Sequence, residues 1–180
     1  MSSVRPWPVR VSSAKSASTA VATASFRRRS SHRFSRSPKT REVLLSIHSA
    51  GQVDTVLDLL AQRPHPGAVL HWFLGDTDQV QRAVEMDLYF SVNAAMPDQV
   101  LQAIPQDRLL TETDLPASTR STRASRPGDL RHLESRLAML HNRTNSDIRR
   151  RLWQNFRAIA TRARVLDHLP DRVFDVVIEA

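Results

Sequence analysis

The sequence predicts an α/β fold in which parallel strands alternate with helices, and three observations carry the prediction. Four short aliphatic and β-branched runs, VLLSIH (43–48), AVLHWF (68–73), LYFSVN (88–93) and RLLTET (108–113), begin 20 to 25 residues apart. The gaps between them hold helix-period segments, VDTVLDLLAQ, DQVQRAVEM and DQVLQAI. Parallel neighbours need a crossover of that length, whereas antiparallel ones need only a tight turn. Polar groups suited to chemistry fall near the strand ends, where parallel βα architectures collect them.

In chain order, residues 1–41 come first and differ from everything that follows. They are rich in Ser, Arg and Ala, show neither helical nor strand periodicity, and hold ten Lys/Arg and no acid. They read as a disordered basic tail. Three other readings fit the same composition: a stretch outside the natural coding frame, a transit peptide, or an arm gripping phosphates through Arg27, Arg28, Arg29, Arg33 and Arg36. The arginine run has no apolar stretch after it, so it does not resemble an export signal.

From Glu42 the pattern becomes regular. Asp76 and Pro97–Asp98 mark helix starts. After Asp114 the segment LPASTRSTRASRPG reads as a loop. Two helices are expected beyond it, at about 130–141 and 145–160, the second capped by Asn145 or Ser146. Residues 163–180 stay unassigned, with VFDVVIEA read as a strand or a stray apolar end. The expected division is therefore a 1–41 tail, a 42–162 domain and a 163–180 extension.

Composition narrows the chemistry. The chain has 180 residues, enough for one domain with a core, and no cysteine, so a metal must sit on His and carboxylate ligands; Mg, Mn or Zn are the candidates. No apolar run is long enough to span a bilayer, and a cytoplasmic protein is expected. The net charge of +8 belongs to the tail: residues 42–180 carry 26 − 10 = 16 basic groups against 18 acids, a net of −2. A basic field over the whole fold does not follow from it.

The candidate site residues are His48, closing the first run; His71, between Leu70 and Trp72; and Glu112 and Asp114, two apart at the close of the fourth. A strand sends residues two apart to one face. Two imidazoles and a carboxylate at one rim can hold a divalent cation, which acidifies bound water and polarises a phosphoryl oxygen. Each residue also has an ordinary reading. A strand histidine is commonly a hydrogen-bonded core residue, and Glu112 or Asp114 could cap a helix or pair with an arginine. The conjunction at three strand ends favours the metal.

The segments IHS (47–49), LHWFLG (70–75), YFSVNAAM (89–96), DRLLTETDLP (107–116) and WQNFRAI (153–159) resemble successive motifs of TatD-family hydrolases. They stand in the right order and at the right intervals over about 120 of the 180 residues. LSIHS and LHWF are most similar to the TatD-like nuclease of Qat-type anti-phage systems. The resemblance implies a TIM-type (β/α) barrel, here incomplete with about four strands, and metal-dependent hydrolysis of DNA phosphodiesters. By the same resemblance, His48, His71 and Asp114 bind metal, Glu112 joins the metal site, and Asp114 also orients or deprotonates the attacking water.

Two family features are absent: the H-x-H of the first strand and a bridging Glu after a later one. His32 stands alone, and Ala50 occupies a position where the family often has Arg. The expectation is a C-terminal half barrel, a truncated copy of weak or no activity. It would work as a homodimer or with the missing N-terminal half supplied by another chain. The alternative is a non-catalytic nucleic-acid-binding protein, using the tail and the loop arginines Arg120, Arg123 and Arg126 on a phosphate backbone.

Overall fold

The computed structural model describes residues 21–25, 42–49, 51–116 and 119–180, with backbone alone at 21–25 and 119–120. A five-stranded sheet runs in sequence order and is parallel throughout. Its strands are β1 (Val21–Ser25), β2 (Leu44–His48), β3 (Ala68–His71), β4 (Tyr89–Val92) and β5 (Leu109–Thr111). Helices α1 (Val53–Gln62), α2 (Thr77–Glu85) and α3 (Asp98–Ala103) make the crossovers from β2 to β5. Such singly wound order, each strand beside its sequence neighbour, is the winding of a TIM-type barrel.

The crossover helices form for local reasons. In α1, Val53, Val56, Leu57 and Leu60 are buried at the i, i+3, i+4, i+7 spacing of one helical face. A capping box opens α2: the Asp76 carboxylate accepts from Gln79 N at 2.9 Å, and the Gln79 side chain accepts from Asp76 N at 3.1 Å. These helices cover one face of the sheet, where Ala68, Leu70, Phe90, Val92 and Leu109 join the main core.

The opposite face is divided along its length. Leu44, Val69, Tyr89 and Leu110 pack with Phe156, Ile159, Ala160, Ala163 and Val165. Helix α6 (Asn145–Arg162) and the residues just after it therefore lie across the strand beginnings. Gly67 makes this approach possible, since a Cβ there would stand 2.5 Å from Val43 O and 2.9 Å from Ala163 Cβ. Beyond that contact the strand ends carry His48, His71 and Ser91 in one register row.

The four expected strands are present, and β1 precedes them inside the segment read as a tail. Its VATAS run has no alternation to reveal it; the parallel ladder with β2, from Val21↔Leu44 to Ser25↔His48, makes it a strand. Residues 1–20 and 26–41, which carry the rest of the tail reading, lie outside the described residues. After β5 come the single turn α4 (Thr119–Thr122), α5 (Arg131–Leu140) and then α6. Neither Asn145 nor Ser146 caps α6. Thr144 does, in a capping box with Asp147, because its hydroxyl lies 3.1 Å from Asp147 N.

The C-terminal segment is a helix, α7 (Asp171–Glu179), rather than a strand. Phe174, Val176 and Ile178 alternate as a strand would, but Val173, Phe174 and Val177 share a helical face. Packing selects the second pattern: Val177 is fully buried while Val176 and Ile178 are exposed. Gln154 Nε2 and Arg157 Nη1, both on α6, donate to Ala180 O and Ile178 O at 2.9 and 3.3 Å. No described helix is long and apolar enough to cross a membrane.

Candidate metal centre

Parallel registry brings the candidate residues to one rim. His48 pairs with His71, and His71 with Ser91, so three neighbouring strands present these residues at the same height. The His48 and His71 rings lie 5.4 Å apart between centroids, tilted by 47°. Glu112 and Asp114 follow β5, and the Glu112 amide donates to Val92 O at 2.9 Å, extending the β4 pairing to the carboxylate itself. Trp72 and Asp114 both have positive φ, 43° and 49°. Non-glycine residues rarely adopt this conformation, and it is common where backbone serves a site.

His71 is the centre of the cluster. Its Nδ1 lies 2.5 Å from Glu112 Oε2 and its Nε2 lies 3.2 Å from Asp114 Oδ1. All three side chains are largely but not wholly covered. The hydrogen bond to Glu112 raises the His71 pKa above its ordinary value; partial burial opposes the rise, and the charges of Glu112 and Asp114 add to it. An ionised Glu112 accepts only, so a proton sits on Nδ1, while Nε2 faces the Asp114 carboxylate, whose charge also favours the protonated ring.

Glu112 is held on both oxygens. Ser91 Oγ donates to Oε2, which also receives His71, while Asn93 Nδ2 donates to Oε1 at 3.0 Å. The four candidate residues therefore do not play equal parts. His71 Nε2 and Asp114 face one another, His48 flanks them, and Glu112 stands behind His71. Among the described residues, no three His, Asp or Glu side chains close around a point as a complete ligand group.

The donor chemistry nevertheless suits a divalent ion. Two donors each about 2.1 Å from one ion stand roughly 3.0–3.4 Å apart in octahedral or tetrahedral geometry. The 3.2 Å between His71 Nε2 and Asp114 Oδ1 falls in that range. A neutral imidazole with Nδ1 on a carboxylate is the usual form of a metal-binding histidine.

Ser91 and Asn93 were not singled out from sequence, although a signal existed. They are polar residues two apart, alternating with Phe90 and Val92, at the close of a strand buried on both faces. Of the loop arginines, Arg123 and Arg126 are exposed, and the Arg120 side chain lies outside the described residues. The loop is tied to the rim by Thr122 Oγ1, which donates to Thr113 O at 3.2 Å.

A parallel βα sheet with imidazole and carboxylate groups at its C-terminal rim defines the barrel class whose sites are built from strand ends. A family profile described as TatD related DNase matches residues 25–161, and the chain belongs to that family. It is 27% identical over 114 residues to an uncharacterised metal-dependent hydrolase, YabD, of Bacillus subtilis, covering 57% of this chain and 45% of that protein. It is 32% identical over 88 residues to the Escherichia coli 3'-5' ssDNA/RNA exonuclease TatD, covering 41% and 34%. The crystal structure of YjjV, a TatD homologue from E. coli, superposes with a TM-score of 0.55 at 18% identity, over 66% of this chain and 50% of that one. This likeness establishes the fold, part of a TIM-type barrel. The chain spans about half or less of the length of these relatives.

Proposed function

We propose that the chain carries a metal centre for phosphodiester hydrolysis, a TatD-type DNase site that takes DNA as substrate. His48, His71 and Asp114 would hold one divalent ion, Mg, Mn or Zn, with Glu112 bracing His71 from behind. When bound, the ion supplies charge for a phosphoryl oxygen and acidifies water. Asp114 would position the attacking water and accept its proton on the carboxylate. Arg123 and Arg126, exposed on the loop beside the rim, grip the flanking phosphates, and Arg120 is assigned with them from sequence. The observation that carries this reading is the 3.2 Å approach of His71 Nε2 to Asp114 Oδ1 with Nδ1 already committed to Glu112.

The test is digestion of single-stranded DNA by the full chain with Mn²⁺, alongside Mn²⁺ titration calorimetry. His71→Ala and Asp114→Ala should each weaken Mn²⁺ binding roughly 100-fold or more and remove cleavage. Cleavage and Mn²⁺ affinity unchanged in both variants would end this assignment. DNA binding that survives EDTA and falls steeply with salt, with no cleavage, would favour a non-catalytic binding protein instead.

A further inference from the structure

We infer that Ser91 and Asn93 are positioning residues, clamping Glu112 so that it holds the His71 ring in one orientation and one tautomer. The inference rests on the metal-centre reading and adds to it two residues that would act through Glu112.

The geometry is specific. Ser91 is the register partner of His71, and its backbone oxygen accepts from Trp72 N at 3.1 Å, so its side chain leaves the sheet beside the imidazole. Its hydroxyl reaches the same Glu112 oxygen that receives His71 Nδ1. Asn93 takes the other oxygen. A carboxylate gripped on both oxygens, by β4 and by the residue just after it, cannot turn about its terminal bond without losing a part-buried hydrogen bond.

Asn93 is itself immobilised. It is fully buried, and its Oδ1 accepts from Ala95 N at 3.0 Å. The loop that follows is pinned by Arg136 on α5, which donates to Ala94 O at 2.9 Å and Met96 O at 2.7 Å. A line of contacts thus runs from α5 through this loop to Asn93, Glu112 and His71. Buried Ser and Asn residues need partners, but nearby backbone would satisfy that need. Here both turn to a carboxylate 21 and 19 residues away that touches a rim histidine. Such supporting partners commonly change metal affinity 10- to 100-fold.

Titration calorimetry of the full chain with MnCl₂ tests the idea. Ser91→Ala should weaken Mn²⁺ binding about tenfold, and Ser91→Thr, which keeps the hydroxyl, should bind nearly as the native chain does. In a Glu112→Ala background, Ser91→Ala should cost nothing further, because a residue acting only through Glu112 has nothing left to act upon. Unchanged affinity in Ser91→Ala, or effects that add to those of Glu112→Ala, would overturn the proposal. Should Ser91→Ala fail to fold by circular dichroism, Asn93→Asp keeps the acceptor for Ala95 N, removes the donor to Glu112, and takes its place in the same cycle. Failure of both to fold would assign the pair a structural role and overturn the proposal. Native-like Mn²⁺ binding in His71→Ala would sink the metal centre itself. Loss in His71→Ala with none in the Ser91 and Asn93 variants would sink only the positioning role.

Discussion

The two ends of the sheet spend their polar residues differently. At the strand ends, His48, His71, Ser91, Glu112 and Asp114 form a cluster of two imidazoles, two carboxylates and a hydroxyl. At the strand beginnings Asn155 and Arg162 spend their hydrogen bonds on backbone carbonyls, while Arg108 pairs with the Asp87 carboxylate at 3.0 Å. Asn155 Nδ2 donates to Gln106 O and Leu109 O at 2.7 and 2.8 Å. Arg162 donates to Pro66 O at 2.8 Å and Asp87 O at 2.5 Å. The guanidinium groups of Arg108 and Arg162 both lie over the Tyr89 ring, 5.3 and 5.2 Å from its centroid. One end gathers side chains around each other; the other fastens α6 to the loops that start the strands. The lesson is that a motif such as WQNFRAI can be specific because it closes a fold rather than because it does chemistry.

The comparison predicts that the two ends fail separately. The largest stability effect is expected from Asn155→Ala, which strips donors from two carbonyls, one of them fully buried. Each such loss costs about 1–3 kcal/mol, so chemical denaturation should show roughly 2–4 kcal/mol lost, with Mn²⁺ affinity near native in the folded fraction. A large fall in affinity beyond the loss of folded protein would break the separation. Gly67→Ala comes next. The added methyl meets Val43 O and Ala163 Cβ, and overpacking of this kind costs roughly 1–3 kcal/mol, read as a lower urea midpoint. No destabilisation would show that α6 does not press on the sheet there.

The smallest expected effect concerns pH. Burial lowers the pKa values of His65 and His141 below their ordinary value. His65 Nδ1 accepts from Gly67 N at 3.1 Å, and His141 Nε2 is buried without a hydrogen-bond partner. Both fold in the neutral form, so the unfolded chain binds more protons once the pH drops below about 6.5. Their contribution is complete above that pH and is lost as the pH falls through the folded-state values. His71, whose pKa is raised, pulls the opposite way over this window, so the readout is a difference: between pH 7.5 and 5.5 the thermal midpoint should fall more in the native chain than in a His65→Asn, His141→Phe double variant. An equal decline in both proteins would assign the acid sensitivity to other groups.

Much of the fold was legible because it is periodic. Strands β2 to β5 announce themselves as short apolar runs, and α1 shows its buried face in Val53, Val56, Leu57 and Leu60. His48, His71, Glu112 and Asp114 stood out as polar groups near the ends of apolar runs, and the structure brings them to one rim. What escaped was whatever depended on a partner far along the chain. VATAS carries no pattern without β2 beside it, and VFDVVIEA satisfies both periods until Val177 meets α6. Thr144 was passed over for its neighbours because three polar residues in a row offer equivalent caps, and only the local backbone selects one. Ser91 and Asn93 looked like ordinary polar interruptions of a strand.

By itself the sequence determined the alternation of strand and helix, the histidine and carboxylate residue types offered at the rim, and the family to which the chain belongs. These follow from residue types and their spacing, which are local quantities. Tertiary structure alone decided the division of labour at the rim, with His71 and Asp114 facing each other and Glu112 turned to His71 Nδ1. That choice depends on strand registry and on hydrogen bonds spanning 19 to 41 residues, and directional contacts of that reach exist only once the sheet has formed.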